Sequence, residues 1–284
     1  MVLHTLADTL CLVPHFHRDF FPLFPHPPGP AYSEALSKAQ TWKGDAYSLA
    51  TAVADAVFGP SEAKAHSEAE AGQGNAAANS NGKATSFNGP ATTDTAALAK
   101  AWDGAAAAKS DGLAQAWGGP AWVNNQATAW GKWGASSSAS GAGFAQGGPA
   151  FVNSGAESVA GWGEAFADNK ALAVSDQAAF AKGSAGAQTN AGHAGAKSST
   201  TAIQNGPGGI AAASDKAGAF SGNGPAAAKS DATAVNGGAG PALSQSEAVA
   251  AGTGPTSAQS KATSVASGGP AVAVAKSSSS SAGK

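Results

Sequence analysis

The sequence predicts an all-β fold, a flattened β-solenoid with two strands per coil and a tightly packed core of Ala, Ser and Gly. Three observations predict it: Gly-Pro pairs recur at a fixed interval, a second break divides each interval, and small residues fill every second position between breaks. A fixed period, here of about 30 residues, is the mark of a stacked repeat architecture.

The breaks come first. Gly-Pro falls at Gly29-Pro30, Gly59-Pro60, Gly89-Pro90, Gly119-Pro120 and Gly148-Pro149, at equal intervals except that the last is shorter by one. After a gap it returns at Gly206-Pro207, Gly224-Pro225, Gly240-Pro241, Gly254-Pro255 and Gly269-Pro270, with the last intervals close to half the earlier ones. GGPAWVNN (Gly118 to Asn125) recurs one unit later as GGPAFVNS (Gly147 to Ser154). Mid-unit breaks sit at Gly44, Gly72 to Asn75, Gly104, Gly134 and Gly163. Gly tolerates positive φ and Pro presets its own, so these pairs supply turns.

Between breaks the period is two. Ala258, Ser260, Ala262, Ser264 and Ala266 alternate with Gln259, Lys261, Thr263 and Val265; Ala97, Ala99 and Ala101 alternate with Leu98, Lys100 and Trp102; Ala114 and Ala116 alternate with Gln115 and Trp117. Successive side chains of a strand point to opposite faces, so one face of each strand is small. Ala also favours helix, and YSEALSKAQTW (Tyr32 to Trp42) is helical by propensity. Helical amphipathicity would need apolar groups at i, i+3, i+4 and i+7, whereas small residues here recur at i, i+2 and i+4. Disorder competes most strongly at Gly183 to Thr201 and in the Ser-rich tail, residues 277–284. The repeat domain is expected to span 31–276.

Matching positions in successive coils would stack at about 4.8 Å, and small inward residues would let two sheets approach closer than the ~10 Å usual between sheets. Trp42, Trp102, Trp133 and Trp162 (with Trp130 as an alternative to Trp133) precede the mid-unit break. Phe58, Phe87, Trp117 and Phe144 precede the Gly-Pro break. Trp122, Phe151 and Phe166 follow breaks. These aromatics are expected to form ladders along the coil, shielding the turn ends or offering a linear aromatic surface. Aromatics stop after Phe220.

Composition removes several function classes. Only 12% of the chain is charged, net charge is −2, and Arg18 is the sole arginine, so no basic patch for nucleic acid is present. No run of about 18 apolar residues exists to span a membrane as a helix. Cys11 is alone, excluding an internal disulfide framework and a cysteine zinc site. Residues 1–30, with His15, His17, His26 and five prolines from Pro22 to Pro30, are expected to be a flexible or processed Pro/His-rich leader. His66 and His193 accompany no nucleophile motif, and the glycine-rich GPGG (Gly206 to Gly209) and GGAGP (Gly237 to Pro241) lack the Lys-Ser/Thr of a phosphate loop. No catalytic, cofactor or metal site is expected.

From Ala31 to about Ser277, the small-residue alternation with Gly/Pro turns resembles insect silk and related extracellular structural proteins rich in Ala, Gly and Ser. The resemblance implies secretion and self-association into a fibre, coat, cuticle or adhesive; Trp, Lys and Asp on the outer face and an irregular repeat depart from it. A second resemblance is to the flat β-solenoid antifreeze proteins of insects, whose ice faces are regular Thr-X-Thr arrays. Here Thr93 and Thr95 share a strand and are expected to face inward, while outward Thr92, Thr128, Thr233 and Thr263 form no repeated pair. Ice and polysaccharide surfaces are the alternative partners.

Overall fold

The computed structural model describes residues 30–56, 59–206 and 209–281, and all its regular structure is β. Seventeen strands alternate between two parallel sheets. The odd sheet orders β1 (Ala31–Lys43), β3 (Ser61–Gln73), β5 (Ala91–Asp103), β7 (Ala121–Gly131), β9 (Ala150–Ala160), β11 (Ala178–Ala191), β13 (Ile210–Asn223), β15 (Ala242–Gly252) and β17 (Ala271–Ser281). The even sheet orders β2 (Ala46–Ala56), β4 (Ala76–Ser86), β6 (Ala105–Trp117), β8 (Gly134–Gln146), β10 (Glu164–Ser175), β12 (Ala194–Gln204), β14 (Ala226–Asn236) and β16 (Thr256–Ala266). Each coil is one odd and one even strand, and every neighbouring pair stacks in parallel, as Ala31 with Ser61 and Ala46 with Ala76 show. The expected flattened solenoid is the observed fold.

The turns explain the Gly-Pro pairs. Proline donates nothing to a ladder, but its carbonyl opens the next one: Ala31 N–H donates to Pro60 O at 2.9 Å and Ala91 N–H to Pro120 O at 3.0 Å. The glycine before it is required by stacking, since a Cβ on Gly119 would lie 2.5 Å from Gly89 O. Gly118 and Gly147 precede this pair with φ of 88° and 81°, a conformation that favours glycine. One coil lacks the pair. There Asp176 and Gln177 make the turn: the Asp176 carboxylate accepts from Gly147 N–H at 2.9 Å, and Gln177 Nε2 donates to Gly147 O at 3.1 Å.

The core is as thin as the alternation requires. Ala97, Ala99, Ala101, Ala114 and Ala116 all face inward and are buried, as are Thr93 and Thr95. The buried alanines form two clusters, one beside the mid-unit turns and one beside the Gly-Pro turns. A polar seam lies between them. In it Thr95 Oγ1 meets Ser110 Oγ at 2.7 Å and donates to Asn125 Oδ1 at 2.5 Å; further along, Ser246 Oγ donates to Ser230 O at 2.7 Å. Larger inward residues are matched by glycine across the gap. A Cβ on Gly141 would stand 2.9 Å from Val152 Cγ1, one on Gly143 2.9 Å from Val152 Cγ2, and one on Gly82 2.7 Å from Thr95 Cγ2.

The helical tendency of Tyr32 to Trp42 is overridden, for those residues form β1, paired with β3 along its length. Gly183 to Thr201 is ordered strand in β11 and β12, with Gly183 packed against Asn169 and Thr200. Strand β17 continues through Ser277 to Ser281, so the expected disordered tail from residue 277 is corrected that far: its backbone pairs with Ala248 to Gly252 of β15, a ladder that does not depend on side-chain type. The leader, residues 1–29, and positions 282–284 lie outside the described residues.

Substituting Ala99→Leu will overpack the gap and destabilise the fold by roughly 1–3 kcal/mol in urea titration. Val53→Ser, on the outer face, will stay within about 0.5 kcal/mol of the parent.

Candidate functional surfaces

The aromatics separate into two arrangements. Trp122, Phe151 and Phe180 form one column on the outer face of the odd sheet, because Trp122 pairs with Phe151 and Phe151 with Phe180 in the strand register. Their ring centroids are 4.8 and 5.1 Å apart, the second pair nearly parallel at 5°. Phe87 and Trp117 stack likewise at the Gly-Pro edge, 4.8 Å apart at 13°. Phe151 lies between two rings, stacked on Phe180 and tilted against Trp122 by 40°, while Trp122 and Phe87 at the column ends stay about half exposed. Beside the first column runs a polar one, with Asn153 Nδ2 donating to Asn124 Oδ1 at 3.1 Å and Asn124 Nδ2 to Asp94 Oδ1 at 3.2 Å. Together they line an open trough.

Trp42, Trp102, Trp133 and Trp162 behave differently. They gather along the edge of the mid-unit turns and are 84%, 76%, 58% and 64% exposed, with no stacked partner among the described rings. The Trp42 ring rests over Gly72, where a Cβ would come within 3.3 Å of Cε3. Lys132 Nζ donates to Asp103 Oδ1 at 3.1 Å, and Trp133 Nε1 donates to the same oxygen at 3.3 Å. These two bonds, the lysine's first, hold the Asp103 carboxyl below the ordinary carboxylate range.

Two sequence expectations about the aromatics change. Phe144 does not continue the line of Phe87 and Trp117: Gln146 pairs with Trp117, and Phe144 stands two residues back over Gln115. Phe166 does not join Trp122 and Phe151, because it follows a mid-unit turn and so belongs to β10 in the even sheet. Phe180 takes that place; it follows the Asp176-Gln177 turn, which carries no Gly-Pro to mark it. Phe58 lies outside the described residues. Trp130 is exposed on the odd face, two residues inside the turn.

The outer face of the even sheet holds a threonine column that the sequence spacing does not reveal, each threonine followed two residues on by Ile or Val and not by a second threonine. Thr201, Thr233 and Thr263 fall in one column, and Ile203, Val235 and Val265 in the next outward one. The first threonine spacing is longer than the second, so the alignment appears only when the register is known. Val174 extends the aliphatic column to β10. Thr92 and Thr128 belong to the odd sheet, in separate columns.

Charged groups are dispersed. Ion pairs such as Lys38–Glu68 at 3.2 Å and Lys100–Glu70 at 3.4 Å join successive coils on the surface, where each contributes little. Among the described residues no group of three or more His, Cys, Asp or Glu could hold a metal ion. His66 faces outward on β3, and His193 lies in a turn, its carbonyl accepting from Ala165 N–H at 2.9 Å. Asp215 is different, a buried carboxyl in the central seam. Its Oδ2 accepts from Ser230 Oγ and from Asp231 N–H, both at 2.9 Å, and Oδ1 contacts Ser198 Oγ. Burial pushes its pKa up to about 6, with the Ser198, Ser230 and Asp231 hydrogen bonds opposing the rise. Only its place at an inward position of the alternation marks it in the sequence.

Comparison with known protein families, with characterised proteins and with solved structures finds no match for this chain.

The raised Asp215 pKa has a consequence of definite sign. The folded state holds the proton more tightly than the unfolded one, so this group's contribution is fully present below about pH 4 and is lost as pH rises to about 6. Asp215→Asn will therefore gain on the parent between pH 4 and pH 7.5 by about 2–3 kcal/mol. Urea titrations of both proteins at the two pH values measure this difference.

Proposed function

We propose that the chain is a non-enzymatic, extracellular structural protein, a silk, coat, cuticle or adhesive component, acting through its repetitive sheet surface and by self-assembly. The observation that carries this reading is β17. All its described residues are exposed, including Ala271, Ala273 and Ala275, which stand in register with the inward row Ala242, Ser244 and Ser246 of β15. A strand of another copy added there would complete both a backbone ladder and a core row, the association that exposed strand edges promote. The composition and the silk-like alternation supply the extracellular structural context. Sedimentation velocity over a concentration series tests it. The parent chain will grow into longer species with its strand spectrum unchanged, and Ala273→Lys with Ala275→Lys will reduce growth at least tenfold. A chain that stays monomeric to millimolar concentration would sink the proposal.

A second reading, binding to ice, is favoured by one observation: the Thr201, Thr233 and Thr263 column beside Ile203, Val235 and Val265. A flat array of β-branched side chains at coil spacing presents hydroxyls and methyls in a fixed lattice. Thermal hysteresis abolished by Thr233→Lys would establish this reading, and absence of hysteresis in the parent would remove it.

A further inference from the structure

The mid-unit edge sets a physical problem that the stacked columns do not. Four tryptophans lie along it, at coils one, three, four and five, and each is more than half exposed. Exposed rings gathered along one edge forgo the burial that a tryptophan ordinarily obtains, and such groups mark interaction surfaces. The same chain stacks Phe151 on Phe180 and Phe87 on Trp117, so stacking is available to it. Trp42, Trp102 and Trp162 are 84%, 76% and 64% exposed, and the Trp133 ring, 58% exposed, carries the Lys132 ammonium over it at 5.4 Å.

We infer that the edge carrying Trp42, Trp102, Trp133 and Trp162 is a binding row for an extended β-1,4-linked polysaccharide. The C–H face of a pyranose packs on an open indole face, and successive sugars of such a chain advance by nearly one coil rise, about 4.8 Å. Trp42 and Trp102 stand two rungs apart, while the turns of Trp133 and Trp162 follow rung by rung: Trp133 N–H donates to Gly104 O at 3.3 Å and Trp162 N–H to Lys132 O at 2.8 Å. Sugar hydroxyls at the ring edges need polar partners, and the same edge supplies Asp103, Lys132 and Asp45. Asp103 is held by Lys132 and Trp133, and Asp45 Oδ1 accepts from Asn75 N–H at 2.8 Å. Nucleic-acid bases would also stack on indoles, but Lys132 on this edge is paired with Asp103 and the chain carries a net charge of −2, which leaves little to hold phosphates.

Sugar binding at this edge is independent of self-assembly, and it is tested at a concentration where the chain does not grow. Purified protein is co-sedimented with powdered cellulose and, separately, with powdered chitin, the two arms telling glucose from N-acetylglucosamine. The parent will pellet with at least one polymer. The variant Trp42→Ala, Trp102→Ala, Trp133→Ala and Trp162→Ala will bind at least tenfold more weakly, while Trp122→Ala with Phe151→Ala will bind as the parent does. Circular dichroism checks that each variant keeps its strands. Should the fourfold variant fail to fold, Trp42→Ala and Trp102→Ala alone decide, each expected to weaken binding about threefold. Parent protein left in the supernatant with both polymers, or folded edge variants that bind like the parent, would overturn the assignment.

Discussion

The gap between the two sheets accepts only small side chains, and the rest of the structure depends on that limit. It forces the alternation, because an inward Leu or Trp has nowhere to go. It sets glycine opposite larger inward groups, as Gly141 and Gly143 opposite Val152 show. It also limits what the hydrophobic effect can supply, since alanine removes little apolar area from water. Stability must then rest on the backbone ladders and on each coil's contact with its neighbours, as in other stacked repeats.

Alanine alternation specifies which face is in, but not which rung meets which. A slip of two residues would leave every small residue inward. The polar seam removes that degeneracy. Thr95, Ser110 and Asn125 satisfy one another only in the observed register, and Ser198, Asp215 and Ser230 do the same further along. Asp215 is destabilising at neutral pH, because its charged form is poorly accommodated where water is excluded. A buried polar group that fixes register at the expense of stability is a known device in coiled coils, and the seam gives the solenoid an equivalent.

The architecture was legible because its constraint acts on every second residue: period two, Gly-Pro spacing and the inward set Ala97 to Ala116 all follow from local sequence. Columns were less legible, because they depend on coil length. Phe144 misses the line of Trp117 by two residues, and the threonine column hides behind a lengthened coil between Thr201 and Thr233. The Asp176-Gln177 turn escaped because side-chain hydrogen bonds replace the glycine and proline that mark the other turns. The two kinds of tryptophan could not be told apart in the sequence. Whether a ring stacks depends on how it packs against its neighbours one coil away: Phe151 stacks on Phe180, Trp42 lies over Gly72, and Trp133 and Trp162, on successive rungs, do not stack.

That dependence explains how one core can carry different surfaces. Inward positions are fixed by the gap, whereas an outward side chain contributes to folding only through its neighbours in the column, worth about 0.2–1 kcal/mol per pair. Outward positions are therefore nearly free to vary without endangering the fold. The chain divides its length accordingly, with open tryptophans along one edge of the first five coils and β-branched residues on the even face of the later ones. A concentration of exposed tryptophan along the mid-unit turns, which the core does not require, has to be explained by what meets that edge.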